Sequence, residues 1–127
     1  MSSVRRSFMK LAGVTAAALL VLTGCSSAPG VTPTGETTEV TVTVEGMRFV
    51  PDSIDVPVGN KLVIDFKNTG MVVHDLVLAN NTGTDQLNPG QSQKIEVGVI
   101  GESMDGWCSV SNHRAMGMVM KVNALKP

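Results

Sequence analysis

Between Val40 and Glu45 the chain alternates strictly, with Val40, Val42 and Val44 apolar and Thr41, Thr43 and Glu45 polar. A period of two is the mark of a strand with one face in a core and the other in water. Ile54, Val56 and Val58 repeat the pattern, and Leu62-Val63-Ile64-Asp65-Phe66 is a denser apolar run closed by the turn-like Asn68-Thr69-Gly70. Further runs follow at Leu76-Val77-Leu78, Ile95 to Val99, Gly106-Trp107-Cys108 and Val119 to Val122. About seven short β-rich runs, set apart by Gly, Pro, Asn and Asp and without a convincing helix among them, predict an all-β sandwich or barrel. The stretch from Gly83 to Ser92, with Asn88-Pro89-Gly90, reads as a hairpin turn rather than a second domain.

Upstream the pattern differs. Residues 1–24 have the three parts of an export signal: basic Arg5, Arg6 and Lys10, an apolar stretch from Leu11 to Leu22, then small residues. Arg5-Arg6-Ser7-Phe8-Met9-Lys10 resembles the twin-arginine motif, and Leu22-Thr23-Gly24-Cys25 resembles a lipobox, which implies cleavage before Cys25 and a lipid on its thiol. From Ser26 to Thr38 there is no apolar periodicity and the residues are Ser, Thr, Pro and Gly-rich, the composition of a flexible tether. The expected organisation is a leader over 1–24, a lipidated Cys25 with its tether over 25–38, and one domain over 39–127. Such a protein is exported and held at the cell membrane, on a periplasmic or extracellular face.

The whole chain has 127 residues, enough for one domain with its own core plus a leader. Removing the leader's three basic residues leaves seven Lys and Arg against eleven Asp and Glu, a negative balance that argues against nucleic acid as a partner. The expected state is a monomer. With Cys25 committed to lipid, Cys108 is the remaining thiol, so no internal disulfide can form. A lone thiol in an oxidising compartment is a liability unless it has a role, and metal ligation both uses and shields it.

The candidate chemistry lies around that thiol. The chain's two histidines are His74, which opens His74-Asp75-Leu76-Val77-Leu78, and His113, separated from Cys108 by four residues; Met118 follows after four more. A thiolate with two imidazoles and a weak thioether is a compromise between the preferences of Cu(II) and Cu(I), so one-electron exchange requires little rearrangement. One loop can then supply three donors while His74, from a distant strand, pins that loop to the sandwich. Taken singly, a histidine beside an apolar run is ordinarily a core or surface residue, and a methionine beside a strand is ordinarily core. Strand alternation puts Met116, Met118 and Met120 on one side, so parity alone does not separate them.

The segment Gly106-Trp107-Cys108-Ser109-Val110-Ser111-Asn112-His113-Arg114-Ala115-Met116-Gly117-Met118 resembles the ligand loop of the cupredoxins, the plastocyanin and azurin superfamily, with the Cys-x4-His-x4-Met spacing of rusticyanin-type members. Asn68 to Asp75 resembles the superfamily's upstream histidine segment, and the likeness runs from about Val40 to Ala124. The resemblance implies a Greek-key β-sandwich holding one mononuclear type 1 copper through His74, Cys108, His113 and an axial Met118, with Met116 the runner-up. Asp75 departs from it: many members carry Asn or Ser there, at a position whose hydrogen bonding braces the ligand loop. Trp107 stands where the family often has an aromatic residue, a place that packing alone would favour.

The implied function is single-electron transport at the cell envelope, with no enzymatic activity. A redox protein, a cytochrome or a copper enzyme, would dock near His113, where Met71 and Met116 add to an apolar patch. Catalytic copper centres of the superfamily draw on further histidines, and a binuclear site requires a second cysteine in the loop; neither is present. The rival reading is an extracytoplasmic copper chaperone or copper-resistance protein, suggested by the surplus methionines, since thioethers favour Cu(I).

Overall fold

The structure, a computed structural model, describes residues 30–127. The leader, the lipobox and Cys25 lie outside the described residues. Among the described residues eight strands form two four-stranded sheets. In chain order they are β1 (Thr37–Glu45), β2 (Arg48–Val50), β3 (Ser53–Pro57), β4 (Lys61–Lys67), β5 (Val77–Leu78), β6 (Ser92–Val99), β7 (Met104–Trp107) and β8 (Val119–Leu125). One sheet has the order β2-β1-β4-β6 and the other β3-β8-β7-β5. Both are mixed, because β1 runs parallel to β4 and β3 parallel to β8. Among the described residues no helix is long and apolar enough to cross a membrane.

The alternation read from the sequence is what closes the sandwich. Val42, Val44, Ile64, Phe66, Ile95 and Val97 point inward from the first sheet and meet Ile54, Val56, Leu78, Met120 and Val122 of the second. Phe49 and Phe66 meet edge to face at 5.9 Å near the middle of this layer. An edge-to-face pair contributes about 0.5–1.5 kcal/mol beyond its buried area. Gly106 allows the second sheet to pack closely: a Cβ there would lie 2.8 Å from Leu78 and 2.9 Å from Met120.

Three features of the fold go beyond the pattern read from the sequence. Arg48–Val50 is an eighth strand, paired antiparallel with β1. It has a single inward residue, Phe49, so no periodicity betrays it. Residues 83–92 do not form a hairpin, since β5 pairs with β7 and β6 with β4 in opposite sheets. The turn at Asn88-Pro89-Gly90 exists, with Gln91 donating to the Asn88 carbonyl and Gly90 at φ 87°, but it lies within a crossing between sheets. β1 starts at Thr37, and ahead of it the Thr34 amide donates to the Gly59 carbonyl.

The strand directions give the sandwich two unlike ends. β4 and β7 run toward one pole and deliver the segments beginning at Asn68 and Cys108. Because β1 is parallel to β4 and β8 antiparallel to β7, the chain enters and leaves at the opposite pole.

Candidate metal centre

His74 and Cys108 reach the same pole from different strand pairs, and each arrives through a local hydrogen-bond scheme. After β4, the buried Asn68 side chain donates to the carbonyls of Val72 and Leu87 at 2.9 and 2.8 Å and accepts from the Gly70 amide at 3.0 Å. One amide side chain thus shapes the whole approach to His74. His74 itself exchanges two backbone hydrogen bonds with Leu87, so its backbone is fixed by the crossing segment. Gly70 lets the ring pack tightly: a Cβ there would stand 3.1 Å from the His74 Cδ2 and Nε2 atoms.

The second segment is the loop between β7 and β8. At its root the Cys108 amide donates to the Met118 carbonyl at 3.1 Å, and within it the Met118 amide donates to the His113 carbonyl at 3.1 Å. Three donors of the loop are therefore tied by backbone before any ion is considered. Residues 111–117 form turns, and Gly117, at φ 100°, ends them just before β8. Met116 therefore lies outside the strand and the parity expected of the methionines fails there: it is 56% exposed, whereas Met118 is fully buried and Met120 nearly so.

The Nδ1 atoms of His74 and His113 both face the Cys108 sulfur, at 3.9 and 3.5 Å. Three donor atoms, one from each of these residues, lie within 4.8 Å of one another, and all three residues are buried. Bonds of about 2.3 Å to sulfur and about 2.0 Å to imidazole nitrogen, opened to about 120°, require a sulfur-to-nitrogen separation of roughly 3.7 Å. The observed pair of distances brackets that value, so the donors stand at the spacing a trigonal site demands.

The electrostatics point the same way. Burial pushes the Cys108 thiol above its ordinary value, with the negative charge of Asp75 adding to the effect. Burial also pulls His74 below its ordinary value, and neighbouring His113 pulls in the same direction. Both shifts favour the uncharged forms of Cys108 and His74 in the metal-free pocket. A bound cation reverses that balance by stabilising the thiolate. Chemically, one soft sulfur and two imidazoles suit copper, and among the described residues no other histidine or cysteine joins this group.

Asp75 is 3% exposed and accepts from the Ser109 amide at 2.6 Å and from the Ser109 hydroxyl. This is the bracing expected at that position, with a carboxylate as the acceptor. On the other side of the loop the Arg114 guanidinium lies 4.1 Å over the half-buried Trp107 ring. Neither Asn68 nor Arg114 was singled out by the sequence; an Asn at a strand end signals only a turn, and an Arg in a loop signals nothing by itself.

By sequence, residues 14–101 match the family described as a cupredoxin-like domain, a span that includes His74 and ends before the Cys108 loop. No curated protein matches the chain by sequence. Among solved structures, it is similar to reduced auracyanin from Roseiflexus castenholzii (18% identity, 72% of this chain and 99% of that one, TM-score 0.62). It is also similar to auracyanin A, a "blue" copper protein from Chloroflexus aurantiacus (17%, 70% and 99%, TM-score 0.58). A third similar structure is the copper-containing nitrite reductase of Thermus scotoductus SA-01 (23%, 72% of this chain but 23% of that one, TM-score 0.55).

Proposed function

Because the chain belongs to the cupredoxin-like domain family, we propose that it is a blue copper protein that carries single electrons, with one copper held by His74, Cys108 and His113 and an axial sulfur from Met118. The observation that carries this reading is the convergence of one thiol and two imidazole Nδ1 atoms, in a buried pocket, at the spacing of a trigonal site. When bound, copper supplies a one-electron couple. The chain's own residues do the rest. Asn68, Leu87 and Asp75 hold His74 and the ligand loop in place, and burial keeps water from the donors. A site fixed in advance changes little between oxidation states, and small rearrangement is what fast electron exchange requires.

Met118 is the axial choice because it is wholly buried and bonded through its backbone to both Cys108 and His113. Met116, half exposed beyond Gly117, is left for the surface. His113 is 8% exposed, and Met71, Val72 and Met116 are exposed on the two donor loops, giving an apolar surface for a redox protein partner. The same fold occurs inside a copper-containing nitrite reductase. A carrier is favoured here because both histidines of this chain are committed to the one site.

Adding Cu(II) to the metal-free protein is expected to give an intense visible thiolate-to-copper band that vanishes on reduction and is absent in Cys108→Ser. A colourless complex sinks the reading. The copper-chaperone alternative predicts instead rapid loss of Cu(I) to an apo acceptor. The leader over 1–24 and the tether after Cys25 make this carrier an exported, membrane-anchored one. Cys25→Ser is expected to shift it from the membrane to the soluble fraction of the envelope, and an unchanged distribution would remove the anchor from the reading.

A further inference from the structure

Each of the three donors has a chain neighbour that grips a neighbour of another donor. Asp75 follows His74 and binds Ser109, which follows Cys108. Arg114 follows His113 and stacks on Trp107, which precedes Cys108. The two contacts lie on either side of Cys108 in the chain, so the donors are linked in the order His74, Cys108, His113 by side chains that are not donors themselves.

The second contact has no backbone substitute. The loop's internal hydrogen bonds run from His113 to Val110, from Met116 to Asn112 and His113, from Gly117 to Arg114 and from Met118 to His113. All of these stay inside the loop, and the Cys108 to Met118 bond only closes its root. The outer half of the loop is exposed from Ser111 to Asn112 and from Arg114 to Gly117, so little of its area is buried to hold it down. The depression beside Arg114 also holds Asp52 and Asp105, but these pair with Arg48 and Lys121, and among the described residues Arg114 forms no ion pair. Its guanidinium is thereby left to the indole face, where a planar cation is attracted by the ring.

We propose that Arg114 is a positioning residue: stacked on Trp107, it clamps the outer half of the ligand loop and fixes where His113 stands relative to Cys108. The inference rests on the copper reading for its purpose but not for its test. A cation on a partly exposed aromatic face corresponds to about a two- to fivefold change in a local opening equilibrium.

The test is a double-mutant cycle of Arg114→Ala and Trp107→Leu in the full chain, read by amide hydrogen exchange in the metal-free state. Each single change is expected to speed exchange at Gly117 and Met118 by about two- to fivefold, leave β1 and β4 amides unchanged, and add nothing further in the double variant. After Cu(II) loading, the copper hyperfine splitting should broaden in each single variant and no more in the double. Additive effects, or unchanged exchange in Arg114→Ala, would overturn the clamp. A wild-type protein that stays colourless with Cu(II) sinks the copper reading alone, because the exchange cycle still decides the stack.

Discussion

At the scale of single residues, the site is built from side chains whose chemistry is scarce in this chain, and whose burial gives each a distinct task. Met118 and Met116 show how the same residue type is sorted by local backbone: Met116 lies in the turn that Gly117 ends at φ 100° and is exposed, whereas Met118, at the root of β8, is buried. Met118→Leu is therefore expected to keep copper while raising the reduction potential, on the order of 60 mV for a tenfold change in relative affinity of the two oxidation states. Met116→Leu should leave the potential in place. Voltammetry of the two variants checks this, and a shift confined to Met116→Leu would reassign the axial sulfur.

At the scale of elements, the strands that could be read from the sequence are those long enough to show alternation. In β1 the inward residues Val42 and Val44 and in β3 Ile54 and Val56 are the ones the pattern nominates. β2 escaped because a three-residue strand cannot display a period. The stretch from Gly83 to Ser92 reads as a hairpin because turn chemistry is local, whereas the sheet a strand joins is decided by partners far along the chain. The same division holds in the site. His74, Cys108 and His113 stood out by type and spacing, but what fixes them is non-local: Asn68 to Leu87, Asp75 to Ser109, Arg114 to Trp107. Pairings of that kind leave no periodic trace in a sequence.

At the scale of the whole molecule, the pocket links folding to pH. The folded metal-free protein holds His74 below its ordinary value of 6.5, so as pH falls through 6.5 the unfolded chain takes up that proton first and stability declines. It holds Cys108 above its ordinary value of 9.0, so as pH rises through 9.0 the unfolded chain loses the thiol proton first and stability declines again. Denaturation midpoints of the metal-free protein are expected to be highest between these limits, with Cys108→Ser flattening the alkaline limb. An alkaline decline that persists undiminished in Cys108→Ser would show that the thiol is not its cause. Between the limits, uptake of copper displaces the thiol proton, and affinity should rise about tenfold per pH unit.

The directions of β1 and β8 place both ends of the described domain at the pole away from His74, Cys108 and His113. β4, at seven residues, spans roughly 23 Å of that separation. On the proposed reading, in which a lipid on Cys25 fastens the molecule to a bilayer, the domain is held by its foot, and the crown that carries the two imidazoles and the thiol is the end farther from the attachment.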